Sequence, residues 1–165
     1  MKRHFLKVKE VKQLDLQVYE RLHIKLSTIF GAGLNVELVN TSKADFFLVE
    51  GRPVLMRING EIIPTLRFDE AIALLPKVVV DMGAIPHICN GADIMAPGIV
   101  RVEGSFNEGA FLVVTDVNHK KPLAIGTATM NSAEILKRKQ GKAVKNLHHV
   151  GDSVWELVKS LGSMP

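Results

Sequence analysis

Asn90-Gly91-Ala92-Asp93-Ile94-Met95-Ala96-Pro97-Gly98 is the stretch on which the fold turns. Two glycines and a proline bracket two large apolar side chains, Ile94 and Met95. Glycine takes positive φ without steric cost and has no Cβ to hold a partner away. The segment therefore reads as a tight loop whose backbone can approach another molecule. Such a loop offers main-chain groups to phosphates or bases. Equally, Ile94 and Met95 suit a strained connection that plugs a barrel. The residues alone leave both readings open.

Outward from this loop the chain has two textures. Four of the 13 glycines precede residue 77 and the other nine lie from Gly83 onward, so turns crowd the second part. There Lys77–Val80 is a β-branched strand, and Ala84–Asn90 a short helix with Pro86 in its first turn and Gly91 as its stop. Ile99–Val102, Phe111–Val117 and Leu123–Met130 are β-like. Asn131 with Glu134 is a capping pair opening a helix to about Gln140. Ala143–His148 is a last strand, and Ser153 with Glu156 fits the capping pattern of a C-terminal helix. So many short strands in so few residues predict a compact, mostly β pseudobarrel over 77–165.

The first part carries longer regular segments. Val8, Val11, Leu14, Val18, Leu22, Leu26 and Phe30 recur at steps of three or four, the spacing of one helical face. Gly31-Ala32-Gly33 would end that helix. Short β-like runs follow at Asn35–Val39, Phe46–Glu50, Val54–Ile58 and Glu61–Leu66. Asn59-Gly60 is a hairpin signal, because both central positions of a type I′ turn need positive φ. Asp69–Leu75 is a helical turn or two, stopped by Pro76. Residues 1–76 are thus expected to form an α+β domain, with the boundary near Pro76.

Composition narrows the function classes. Apolar residues make up 47% of the 165, enough to bury a core. The formal charge of +4 is modest, so an acidic partner must be met by local clustering. No apolar run reaches the roughly 18 residues of a membrane helix. Lys7, Lys9, Glu10 and Lys12 break up any signal peptide after Met1-Lys2-Arg3-His4. Cys89 is the only cysteine, which fits a reducing, cytoplasmic setting. Gly31-x-Gly33 follows a helix rather than a strand and is no dinucleotide fingerprint, and no Lys-Ser/Thr pair follows Gly98 as in a phosphate-binding Walker loop. His87, Cys89, His148 and His149 lack the paired spacing of structural zinc ligands. No metal or cofactor is expected, and no catalytic set is recognisable.

A basic run is more informative. Lys137, Arg138, Lys139, Lys142 and Lys145 include no acid among them. The first three sit in the last turn of a predicted helix, where cations are favourable for the helix alone. Lys142 and Lys145 lie beyond Gly141, and helix energetics do not account for them. A basic rim beside a β surface suits RNA phosphates. His119-Lys120-Lys121 adds charge at a hairpin tip, where solvation is the ordinary reason.

Val80-Asp81-x-Gly83-Ala84, Gly91-Ala92-Asp93-Ile94-Met95-x-Pro97-Gly98, Ala124-x-Gly126 and Gly141-Lys142-Ala143 together resemble the PUA domain. Ser132-Ala133-Glu134, Lys145-Asn146-Leu147-His148 and Gly151-Asp152-x-x-Trp155 resemble, more narrowly, the malignant T-cell amplified sequence family and its archaeal relatives. Val49-x-Gly51-x-Pro53 and Ile63-Pro64-Thr65-Leu66 resemble that family's N-terminal domain. The resemblance implies a non-enzymatic RNA-binding protein acting on tRNA or the small ribosomal subunit in initiation or recycling. It also implies a partner protein carrying an initiation-factor-like domain, which these 165 residues are not expected to contain. Carried over by position, the RNA site is Gly91, Ala92, Asp93, Ile94, Met95, Ala96, Pro97 and Gly98 with Lys142 and Lys145. The alternative is an accessory RNA-binding subunit of a tRNA- or rRNA-modifying enzyme.

Overall fold

The computed structural model describes residues 1–163. The chain divides into two units, Met1–Ala71 together with the stretch from Leu157 onward, and Ile72–Glu156. The division falls inside a helix, α3 (Asp69–Leu74), where the sequence suggested Pro76, and the last residues group with the first unit instead of the second. Pro76 marks where a helix must stop, a local event, whereas membership of a unit is decided by long-range packing.

In the first unit, β1 (Lys2–Phe5), β2 (Val36–Asn40), β3 (Asp45–Val49), β4 (Arg52–Ile58) and β5 (Glu61–Pro64) form one antiparallel sheet in chain order. Asn59 and Gly60 join β4 to β5 with φ of 51° and 80°, as the primed hairpin turn requires. β1 carries no alternating pattern and went unread in the sequence; its four residues are all exposed. The expected single helix is two, α1 (Val8–Leu22) and α2 (Leu26–Phe30). His23 breaks it in the left-handed conformation, φ 58°. Asp15 then starts α2, its carboxylate accepting from the Leu26 N–H at 2.6 Å and the Ser27 hydroxyl at 2.8 Å. Neither glycine nor proline announces this break. Leu14, Val18 and Leu22 form the buried face of α1.

In the second unit, β6 (Lys77–Val80), β7 (Ile94–Met95), β8 (Ile99–Glu103), β9 (Phe111–Asp116), β10 (Pro122–Ala128) and β11 (Lys142–His149) form a six-stranded sheet in the order β7-β11-β10-β9-β6-β8. β6 and β9 run parallel and the other pairs antiparallel. The sheet curls into the mostly β pseudobarrel that the sequence predicts. Val78, Val80, Leu112, Val114, Ala124 and Val144 are among the side chains that fill it. A 3-10 turn (Met82–Ala84), capped by the Asp81 carboxylate on the Ala84 N–H at 3.0 Å, leads into α4 (Ile85–Ile88). Asn131 caps α5 (Ser132–Arg138) by accepting from the Glu134 N–H at 2.9 Å. The cap of α6 (Ser153–Ser163) is Asp152 and not Ser153, its carboxylate taking the Trp155 N–H at 2.6 Å. A carboxylate at this position also gains from the helix dipole, which a serine hydroxyl does not.

Candidate nucleic-acid interface

The loop from Gly91 to Gly98 is stitched to β11 over a separation that the sequence does not reveal. Asn146 is the clamp. Its side-chain amide donates to the carbonyls of Ile88 at 3.1 Å and Ala92 at 2.9 Å, and its own N–H donates to Asp93 Oδ1 at 2.9 Å. The Ala96 N–H donates to the Gly141 carbonyl at 2.8 Å, and β7 pairs Ile94 with Val144 and Met95 with Lys142. Gly91 holds φ of +95°, which a side chain would strain.

The plug reading of the loop holds for Ile94 and not for Met95. Ile94 and Ala96 are buried in the barrel, 2% and 3% exposed, whereas Met95 is 50% exposed. Gly91, Ala92 and Pro97 face solvent. The main-chain donors are less available than expected. The N–H groups of Asn90, Gly91 and Ala92 are spent on the carbonyls of His87 and Ile88, and that of Ala96 on Gly141. The Gly98 carbonyl takes the Asp81 N–H.

Lys142 and Lys145 lie three residues apart, a spacing that places side chains on opposite faces of a regular strand. Both are exposed here, with Ala143 and Val144 buried between them. The cause is a bulge. Two steps along β11, from Lys142 to Val144, face one step along β7, from Met95 to Ile94, and the extra residue re-aims the chain. Asp93 pairs with the first of the two lysines. Its Oδ2 lies 3.3 Å from Lys142 Nζ. Its carboxyl is held below the ordinary carboxylate range, first by the Asn146 N–H, then by the Lys142 ammonium and by charge from Lys145, against the opposing effect of burial. Lys145 forms no ion pair among the described residues. A helix-based reading of the basic run missed the Asp93–Lys142 pair, because it joins positions 49 residues apart.

His149 also borders the loop, its Nε2 lying 3.6 Å from where a Gly91 Cβ would stand. Its Nδ1–H donates to the Val150 carbonyl at 2.9 Å, which leaves Nε2 without a role in the turn. His148, by contrast, is fully buried, with Nδ1 on Asp152 at 2.9 Å. Cys89 is half-buried against the core, and burial pushes its thiol pKa up. Among the described residues no three His, Cys, Asp or Glu side chains stand where they would hold a metal. No described helix is long and apolar enough to cross a membrane.

Replacing Asn146 with alanine should cost about 2 kcal/mol, roughly 1 for each of the two hydrogen bonds its amide donates, to Ala92 and to an Ile88 carbonyl that keeps only the Gly91 N–H. A urea melt of Asn146→Ala checks this, and a midpoint unchanged from the parent would contradict the clamp.

Comparison with known proteins places this geometry in a family. Residues 76–150 match the PUA domain and residues 2–68 match a domain of unknown function, DUF1947. An uncharacterized protein of Methanocaldococcus jannaschii is 40% identical over 93% of this chain and 95% of its own length. Translation machinery-associated protein 20 of Saccharomyces cerevisiae is 30% identical over 91% of this chain and 84% of its own. The crystal structure of a PUA domain from Aeropyrum pernix superposes with a TM-score of 0.87 at 30% identity, covering 98% of this chain and 93% of that one. A PUA barrel preceded by a DUF1947 domain, aligned almost end to end with these relatives, makes this chain a member of the family that contains translation machinery-associated protein 20 and the malignant T-cell-amplified sequence proteins.

Proposed function

We propose that this protein is a non-enzymatic, cytoplasmic RNA-binding protein of the translation machinery, and that its target is tRNA or small-subunit rRNA. The relatives named for the translation machinery support the setting. The observation that carries the RNA reading is the bulge on β11. It leaves both Lys142 and Lys145 exposed near Asp93, beside a loop whose exposed residues, Met95 apart, are small. Phosphate contacts from lysine position an RNA without reading its sequence, and the exposed Met95 and the His149 ring beside the loop are available to a base or ribose. A partner with an initiation-factor-like domain would supply the remaining contacts to a ribosome.

A salt titration tests the reading. Loss of one phosphate contact to single-stranded RNA flattens the plot of log affinity against log salt by roughly 0.7. Lys145→Ala should show that change. Lys142→Ala should show less, because Asp93 already offsets part of its charge. Asp93→Asn keeps an acceptor for the Asn146 N–H while releasing Lys142, and should tighten binding and steepen the slope. Lys120→Ala with Lys121→Ala, at the far hairpin, should leave the slope nearly unchanged. Equal losses from the two lysine pairs would mean diffuse attraction and no site at the loop.

A further inference from the structure

The chain's net charge is concentrated at one end. Up to Lys25 there are seven basic and three acidic residues, a balance of +4, which equals the formal charge of the whole protein; the remaining basic and acidic residues cancel. Of those three acids, two are occupied at helix starts. Glu10 accepts the Lys7 N–H at 2.9 Å, and Asp15 takes Leu26 and Ser27. Lys9, Lys12 and Lys25 form no ion pair among the described residues.

These cations surround an apolar strip that no part of the first unit covers. Lys9, Lys12, Leu16, Tyr19 and His23 follow one another at steps of three or four, so they share one face of α1, opposite the buried Leu14, Val18 and Leu22. Leu16 is 64% and Tyr19 46% exposed. Lys12, Leu16, Tyr19 and Lys25 line a shallow concavity with Asp15 and Ser27. Lys25 Nζ stands 5.2 Å from the centre of the Tyr19 ring, and His23 meets that ring edge-on. Lys9 to Tyr19 extends about 15 Å along the helix at its usual rise. A solvated helix face needs neither the exposed leucine nor the exposed tyrosine.

We infer that this face of α1 is a second RNA-binding surface, independent of the PUA loop, taking a single-stranded segment. Lys9, Lys12 and Lys25 meet its phosphates, and the Leu16–Tyr19 strip receives a base or ribose. An aromatic platform rimmed by cations is the arrangement that binds single strands without sequence preference. An acidic peptide would match the charge as well. RNA is favoured because the tyrosine ring, already faced by a cation, offers a stacking surface rather than a pocket for an aliphatic side chain.

The test uses the full chain and a fluorescein-labelled 20-nucleotide single-stranded RNA of mixed sequence. Lys9→Ala/Lys12→Ala/Lys25→Ala should flatten the salt slope by about 2, at roughly 0.7 per phosphate. The corresponding triple arginine variant should restore it. Tyr19→Ala should weaken binding about fivefold or more, the low end of one lost stacking contact, while Tyr19→Phe should bind like the parent. Lys43→Ala/Lys120→Ala/Lys121→Ala removes the same charge elsewhere and should change the slope little. An unchanged slope in the α1 triple variant would overturn the inference, as would an equal change in the control triple. So would a polyglutamate peptide that binds at α1 while RNA binding is indifferent to it. Since Lys142 and Lys145 are intact in every variant, failure here leaves the PUA-loop reading standing, and failure there leaves this one.

Discussion

Gly126→Ala should destabilise the second unit by about 3 kcal/mol, the upper part of the range for overpacking a dense interior. A Cβ at Gly126 would fall on the Val144 Cγ1 methyl and 2.5 Å from the Lys145 carbonyl oxygen. Neither neighbour can yield cheaply. Val144 is fully buried in the core, and the Lys145 carbonyl belongs to the backbone of β11. β10 and β11 would have to part where their register already shifts, between Ile125 and Gly126. Gly126 has an ordinary φ, so the requirement is space and not conformation. For a chain of this size the melting temperature should fall by about 6–12 °C. A melt within 2 °C or so of the parent would show that the strands are less closely apposed. Since β11 carries Lys142, Lys145 and Asn146, the same variant should also lose RNA affinity in proportion to disorder in that strand.

Asp152→Ala should cost about 3 kcal/mol by a different route. The carboxylate accepts from the His149 N–H at 2.9 Å, the Trp155 N–H at 2.6 Å and the His148 ring at 2.9 Å. Its removal takes the cap from α6, worth about 1 kcal/mol. It also leaves His148, whose Nε2 already lacks a partner among the described residues, with both ring nitrogens unsatisfied in the core. A buried donor without an acceptor costs roughly 1–3 kcal/mol. The pH dependence separates this account from simple loss of packing. Burial is the largest single influence on the Asp152 carboxyl and pushes its pKa up. The hydrogen bonds from His148, His149 and Trp155 and the His148 charge together outweigh it and hold the pKa below its usual value. A depressed carboxyl stabilises the fold above its unfolded value of about 3.9 and loses that contribution as pH falls through the folded value. The parent should therefore lose more stability between pH 5 and pH 3 than Asp152→Asn does. Parallel curves would remove Asp152 from the account.

How much of this was legible in the sequence depends on how local each feature is. The Asn59-Gly60 turn, the Asn131 cap and the short β-like runs of the second part were readable, because each is decided within a few residues. The break at His23 was not, since a left-handed histidine followed by a second helix that the Asp15 carboxylate starts leaves the apolar periodicity of α1 and α2 intact. β1 was invisible because an exposed edge strand needs no apolar face. At the site, residues 91–98 with Lys142 and Lys145 were named from a glycine-bracketed loop and from cations that helix capping leaves over. What those residues touch was beyond reach. Asn146 bridging to Ile88 and Ala92, and Asp93 bridging to Lys142, join positions some fifty residues apart through a bulge whose register only the pairing of β7 with β11 reveals. The expectation most changed by the structure is that of open main-chain donors, because the turn after α4 consumes them.

The central claim is that RNA meets the second unit along the loop and the bulged strand. Backbone amide shifts of the full chain, recorded as a 12-nucleotide single-stranded RNA is added, address it residue by residue. The account predicts that within the second unit the largest changes fall on residues 91–98 and 142–149, saturate together, and disappear in Lys142→Ala/Lys145→Ala. Changes confined to the His119–Lys121 hairpin, or spread evenly over every exposed lysine, would contradict it.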